Sequence, residues 1–315
     1  MNNNYFINRH SFLFVAFAAG LFCILCFFLW VTEAKADRLD LEETCGRIAG
    51  KLASVSLEDC LADGIMGSGS YSVEGIPLLV KEYPPLERRD PQARVLVVGG
   101  THGDEYSSVS VVFRWMDILD IHHSGLFHWA FVPLLNPDGL LRDRSIRTNA
   151  RGVDLNRNMP SPRWREVGYQ RWLDVADGNP RYYPGPYPMS EPETKFLVEL
   201  IHYFKPHAII SVHSPLNLVD YDGPGEPVSA LGPLGLRRLG NFPGTLGNYA
   251  GSFAGIPVVT VELASSARMP APEEISSMWR DLVRWLINTV PLKTVPGEIW
   301  VEEDGRELEM KFFGK

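Results

Sequence analysis

Gly99-Gly100-Thr101-His102-Gly103-Asp104-Glu105 follows directly on Ala93-Arg94-Val95-Leu96-Val97-Val98, an apolar run rich in β-branched residues and short enough for a buried strand. A strand that runs into Gly-Gly is leaving its sheet, so the next residues occupy a loop at the strand's carboxyl end. Open α/β sheets bind their ligands there. The loop presents His102 and Glu105 three positions apart, so an imidazole and a carboxylate can converge on one cation. That donor pair suits zinc and leaves room for a third ligand and water. Alone, His-x-x-Glu is a weak signal that surface loops also produce by chance.

Two further apolar runs supply what the first lacks. Ala208-Ile209-Ile210-Ser211-Val212 reads as a buried strand that delivers His213 at its carboxyl end, and Pro257-Val258-Val259-Thr260-Val261 delivers Glu262 in the same way. Three strands that each end in a residue fit for metal chemistry are poorly explained by accident. His207, at the start of the second run, falls at the opposite end of the sheet and reads as structural.

Size and composition set bounds on this reading. A chain of 315 residues with 45% hydrophobic and 22% charged residues can bury one substantial α/β core. The formal net charge is −8, with no dense Lys/Arg cluster, which argues against a nucleic-acid partner. No internal repeat suggests a solenoid or propeller. The first 36 residues read as a targeting segment. Arg9 and His10 precede an uncharged apolar stretch, residues 11–31, followed by Ala34-Lys35-Ala36, a small-x-small cleavage signal. The stretch is also long enough to span a bilayer, for which about 20 residues suffice. Signal peptide and N-terminal membrane anchor both stay open; either places the body outside the cytoplasm, in the periplasm. Cys45 and Cys60 are the two cysteines left in that body, and an even pair in an oxidising compartment reads as a disulfide. Two buried free thiols are the alternative.

Along the chain, residues 37–70 form an N-terminal segment, helical over Leu41 to Leu61 and ending in Gly67-Ser68-Gly69-Ser70, read as a flexible joint. The main domain, residues 71–295, begins with a hairpin around Glu74-Gly75 at the sheet edge. Ser107 to Leu119 has helical spacing, with His122 and His123 in the solvated loop behind it. His128 to Pro133 is the next strand, closed by the turn Asn136-Pro137-Asp138-Gly139. Arg147 to Asn158 gathers three arginines and three asparagines with little apolar periodicity. Such groups hold a carboxylate or stabilise an oxyanion when they converge, and form a solvated loop when they do not. Pro160 to Pro188 reads as a long rim loop beside a cleft. Ser190 reads as the N-cap of a helix with Pro192 in its first turn and Glu193 completing a capping box, which keeps these acidic residues out of the site. Glu273 to Val290 reads as a covering amphipathic helix. Residues 296–315 alternate around Asp304-Gly305 and predict a C-terminal β-hairpin.

Taken together, His102-x-x-Glu105, Arg147-x-Asn149, Asp154-x-Asn156-Arg157, His213 and Glu262 resemble, in content and order, the zinc metallocarboxypeptidase (carboxypeptidase A-like) family. Thr101 to Glu105, Asn136 to Gly139, Val153 to Asn158 and Ser190 to Thr194 are most similar to its bacterial murein peptide amidases, which cut between γ-D-glutamate and meso-diaminopimelate. The resemblance implies an α/β/α sandwich: a mixed, mostly parallel twisted sheet with helices on both faces. It implies one Zn2+ held by His102, Glu105 and His213, with Asp154 accepting the other ring N–H of His102. It implies Glu262 as general base on zinc-bound water, Arg147 polarising the scissile carbonyl, and Asn156 and Arg157 clamping the substrate's terminal carboxylate. The partner it implies is a murein peptide, and membrane attachment would run through residues 11–31. In place of the family's mobile tyrosine the nearest residue is Tyr249, whose spacing to Glu262 departs from the pattern. It stands as a candidate substrate contact. Asp220-Tyr221-Asp222 reads as a solvated acidic loop, with the extra amine of diaminopimelate as its alternative partner. Three competing readings remain: a zinc carboxypeptidase on other peptides, an acyl-amino-acid zinc amidohydrolase, and an inactive peptidoglycan-binding module. The export signal argues against the amidohydrolase, and intact Glu262 and Arg147 against the binding module.

Overall fold

The computed structural model describes residues 40–86, 90–290, 301–303 and 306–308. The N-terminal stretch read above as a targeting segment lies outside them. Among the described residues no helix is long and apolar enough to cross a membrane. In chain order the helices are α1 (40–51), α2 (Leu57–Cys60), α3 (Tyr106–His122), α4 (Pro137–Leu140), α5 (Gln170–Asp174), α6 (Pro192–Phe204) and α7 (Pro272–Thr289). The strands are β1 (Ile65–Tyr71), β2 (Pro77–Tyr83), β3 (Ala93–Val98), β4 (Phe127–Val132), β5 (Ala208–His213), β6 (Leu218–Asp222), β7 (Ala230–Leu231), β8 (Leu234–Gly235), β9 (Val258–Glu262), β10 (Val301–Glu303) and β11 (Arg306–Leu308).

Seven strands form one sheet in the order β1-β2-β4-β3-β5-β9-β6. The four central strands β4, β3, β5 and β9 are parallel. β1 and β2 add an antiparallel hairpin at one edge, and β6 closes the other edge antiparallel to β9. The central strands read as continuous apolar runs because each feeds two cores. Val95 and Val97 point into one, while Leu96 and Val98 point into the other. The first core is covered by α1, α3 and α7, through Ile48, Phe113, Trp115, Trp279 and Leu282. The second is covered by α6 and a single π-helical segment, Gly247–Phe253. Helices therefore cover both faces, as expected for the α/β/α sandwich.

Several boundaries differ from the sequence reading. Gly67 to Ser70 is no joint: it lies inside edge strand β1, where small residues remain because that strand is mostly exposed. The segment before it splits into α1 and α2, is bridged by a Cys45–Cys60 disulfide, and packs Ile48 and Leu52 into the same core as Trp115. It is one body with the main domain. His122 ends α3 and does not lie in a loop. Ser190 does not cap α6. The cap is Glu191, with Pro192 as the first helical residue, because the Ser190 hydroxyl instead donates to Glu191 and accepts from Asn158. At the C-terminus β10 pairs antiparallel with β11, as the hairpin reading expects; residues 304–305 between them lie outside the described set.

Candidate metal centre

The sheet brings the three strand ends together. β3 and β5 are direct neighbours, and β5 and β9 pair with His213 opposite Glu262. Beyond β3, Gly100 turns the chain at φ +60, and Gly103 lies so close to α4 that an added Cβ would fall 2.1 Å from the Gly139 carbonyl carbon. Those two glycines fold the loop back and aim His102 and Glu105 over the end of β5.

The candidate ligand atoms of His102, Glu105 and His213 all lie within 4.8 Å of one another. His102 Nδ1 is 2.8 Å from Glu105 Oε1 and 3.2 Å from His213 Nδ1, and His213 Nδ1 is 3.0 Å from Glu105 Oε2. All three residues are buried. Donors about 2.0–2.1 Å from a tetrahedral zinc are spaced by about 3.3 Å, so these separations fit that ion. The far ring nitrogens are held as well: His102 Nε2 lies 3.0 Å from Asp154 Oδ1, and His213 Nε2 lies 3.0 Å from Ser211 Oγ. Imidazoles fixed on one edge, with the other edge free for metal, are the usual arrangement of a zinc site. Burial works against the charge on Glu105, yet the two imidazoles hold its carboxyl below the usual carboxylate range. The Ser214 N–H also donates to Glu105 Oε2 at 3.2 Å.

Around this cluster opens a cavity of about 490 Å³. Arg147, Asn156, Arg157 and Glu262 all line it, so these four sequence-predicted residues converge on one place. Arg147 donates from Nε to Asp154 Oδ2 at 2.9 Å and from Nη1 to Glu105 Oε1 at 3.4 Å, and stacks over the Tyr182 ring. Burial opposes the charge on Asp154, but Arg147, Arg157 and His102 keep its carboxyl well below the usual range. Asn156 Oδ1 accepts the Leu246 N–H at 2.8 Å, which leaves its amide NH2 as the donor facing the cavity. Arg157 lies over the Phe242 ring. The Glu262 carboxyl is pushed up by burial, only partly offset by His213, and accepts the Leu216 N–H at 3.4 Å. A carboxylate with raised proton affinity beside a metal cluster is suited to taking a proton.

Other sequence readings change. Tyr249 is no substrate contact: it is fully buried in the second core, where burial pushes its hydroxyl up. Asp220 to Asp222 is not a solvated loop but strand β6, with Tyr221 in the core and both aspartates lining the cavity. Asn149 and Asn158 do not join the clamp. Asn149 Nδ2 donates to Glu191 at 2.7 Å and Glu193 at 3.1 Å, and Asn158 Nδ2 donates to the Pro184 and Tyr187 carbonyls, so both pin the loop from behind. His207 is structural as expected, its Nδ1 accepting the Arg94 N–H. Ser211, Tyr182 and Phe242 had no signal in the sequence, because nothing local distinguishes them from packing residues.

A family model described as zinc carboxypeptidase matches residues 67–223. Murein peptide amidase A of Escherichia coli (strain K12) is 32% identical over 225 residues, covering 68% of this chain and 87% of that protein. Among solved structures, murein-tripeptide amidase MpaA from Escherichia coli O157 aligns with a TM-score of 0.50 at 25% identity, over 75% of this chain and 94% of that one. Thrombin activatable fibrinolysis inhibitor aligns with a TM-score of 0.57 at 19% identity, over 73% of this chain and 74% of that one, and shares the fold.

Proposed function

The chain belongs to the zinc carboxypeptidase family and is a hydrolytic enzyme of that type, and on that premise we propose that it acts outside the cytoplasm on murein peptides. The bond cut is the amide between γ-D-glutamate and meso-diaminopimelate. One observation carries the reading: Glu262, Arg147, Asn156 and Arg157 line a single cavity that ends on the His102–Glu105–His213 cluster.

One zinc ion fits His102, Glu105 and His213, and when bound it supplies Lewis acidity toward water and a carbonyl oxygen. Glu262 takes a proton from the attacking water and returns it to the leaving amine nitrogen. Arg147 donates to the oxygen on which charge develops; its guanidinium is already oriented by Asp154, so little reorganisation is needed. The Asn156 amide and the Arg157 guanidinium receive the carboxylate at the substrate's C-terminal end. Export is supported by the apolar segment at residues 11–31 and by the Cys45–Cys60 bond, which suits an oxidising compartment such as the periplasm.

The test is mass spectrometry of products from defined murein tri-, tetra- and pentapeptides and from N-acyl amino acids, with and without a chelator. Free diaminopimelate from the tripeptide, abolished by chelator and restored by zinc, is the expected result. Release from N-acyl amino acids alone would overturn the proposal.

A further inference from the structure

The roles assigned so far leave the acyl side of the scissile amide without a partner. The long rim loop sends a short 3-10 turn, Pro180–Tyr182, to the cavity, and both Arg181 and Tyr182 line its wall. Asn179 fixes the turn at its start. Its Oδ1 accepts the Arg181 N–H at 2.9 Å, and its carbonyl accepts the Tyr182 N–H at 3.0 Å and the Trp172 Nε1–H at 2.8 Å. The two side chains take different partners. The Tyr182 ring lies 5.3 Å from the Arg147 guanidinium, while Arg181 Nη1 pairs with Asp104 Oδ2 at 2.7 Å. Asp104 belongs to the loop that supplies His102 and Glu105, and its Oδ1 is buried with no hydrogen-bond partner, which favours keeping the pair. Arg181 is thus anchored through one nitrogen. The other N–H groups of its fork have no partner among the described residues, and the side chain is 47% exposed.

Arg147 stands between this group and the carboxylate clamp. Burial opposes its charge, and Asp154, Glu105 and Asp104 restore it. Burial also works against the charge on Arg157, whose charged neighbours are Asp154, Arg147 and Arg171. Three guanidiniums therefore follow one another along the cavity, with Arg157 at the Phe242 end, Arg147 in the middle and Arg181 at the Asp104 end. With the terminal carboxylate on Arg157 and the scissile carbonyl at Arg147, the acyl residue extends toward Arg181. A glutamyl residue linked through its side chain keeps its α-carboxylate free, about 5 Å from the scissile carbonyl carbon. A guanidinium fork held on one edge is suited to receiving such a group on another. We infer that Arg181 binds the free α-carboxylate of the γ-glutamyl residue on the acyl side of the scissile amide. This rests on the murein-peptide reading and adds to it a residue that selects the γ-linkage, apart from the clamp on the leaving side.

The test compares L-alanyl-γ-D-glutamyl-meso-diaminopimelate with its γ-D-isoglutaminyl counterpart, in which the α-carboxylate is an amide of the same shape. In the native enzyme kcat/KM for the carboxylate peptide is expected to exceed that for the amide peptide by about 10-fold or more. Arg181→Gln is expected to bring that ratio close to one. If Arg181 only braces Asp104, the variant slows both peptides by the same factor and the ratio survives, which overturns the inference. A native ratio near one overturns it without any variant, while cleavage of both peptides leaves the murein-peptide reading standing. Cleavage of neither peptide, with N-acyl amino acids hydrolysed, overturns the inference and that reading together.

Discussion

Asp154 Oδ1 lies 3.0 Å from Nε2 of His102, on the ring edge opposite the Nδ1 that faces Glu105 and His213. The same carboxylate takes the Arg147 Nε on its other oxygen, so one fully buried side chain orients both a candidate metal ligand and the arginine proposed as oxyanion donor. Asp154→Asn removes the charge that fixes the His102 tautomer. Zinc affinity should fall about 10–100-fold. Competition against a fluorescent zinc chelator measures it, and an unchanged affinity would show that His102 is positioned without Asp154.

Glu262 touches the cavity but is not one of the three clustered donors. Glu262→Gln should therefore keep one zinc per chain while kcat drops about 10²–10⁴-fold. Elemental analysis beside turnover on murein tripeptide decides the matter. Loss of zinc together with activity would make Glu262 a ligand and not a base.

The legible parts of this fold were those whose burial leaves a simple pattern. β3, β5 and β9 are buried on both faces, so they stand out as apolar runs, and the polar residues at the end of β5 and β9 and in the loop beyond β3 announce the site. The edge strands were hidden for two different reasons. β1 carries Gly67-Ser68-Gly69-Ser70, which looks like a linker because an exposed edge needs little side-chain packing. β6 does alternate, with Val219 and Tyr221 inward and Asp220 and Asp222 outward, but its outward face meets a cavity and not water. Sequence alternation reports two unlike faces without saying what the polar one meets. Asn149 and Asn158 mislead for a related reason, since an amide that clamps a ligand and one that pins a loop look alike until their partners are known.

Arg147 presents a planar fork held between Asp154, Glu105 and the Tyr182 ring. Arg147→Lys keeps the positive charge but loses that geometry. Loss of one oxyanion donor predicts a decrease in kcat of about 10²–10³-fold. KM for the tripeptide should move far less, because the terminal carboxylate is assigned to Asn156 and Arg157. A change confined to KM would place Arg147 in substrate binding and remove it from the reacting centre.

Glu193 gives a stability prediction that needs no substrate. Burial pushes its carboxyl up to about 7, against hydrogen bonds from Asn149 Nδ2 and the Val73 N–H and with the charge of Asp138 nearby. Its ordinary value is 4.5, so between about pH 4.5 and 7 the folded chain holds a proton that the unfolded chain has released. The unfolding free energy must then fall as pH rises through that window, by about 3 kcal/mol from this group once pH exceeds the folded value. Glu193→Gln carries no charge at any pH and should lose the slope. Calorimetric melting of both proteins from pH 5 to pH 8 at saturating zinc reads the difference: the native Tm should drop by several degrees more than that of the variant. Parallel curves would mean that Asn149 and Val73 stabilise the ionised carboxylate enough to cancel its burial.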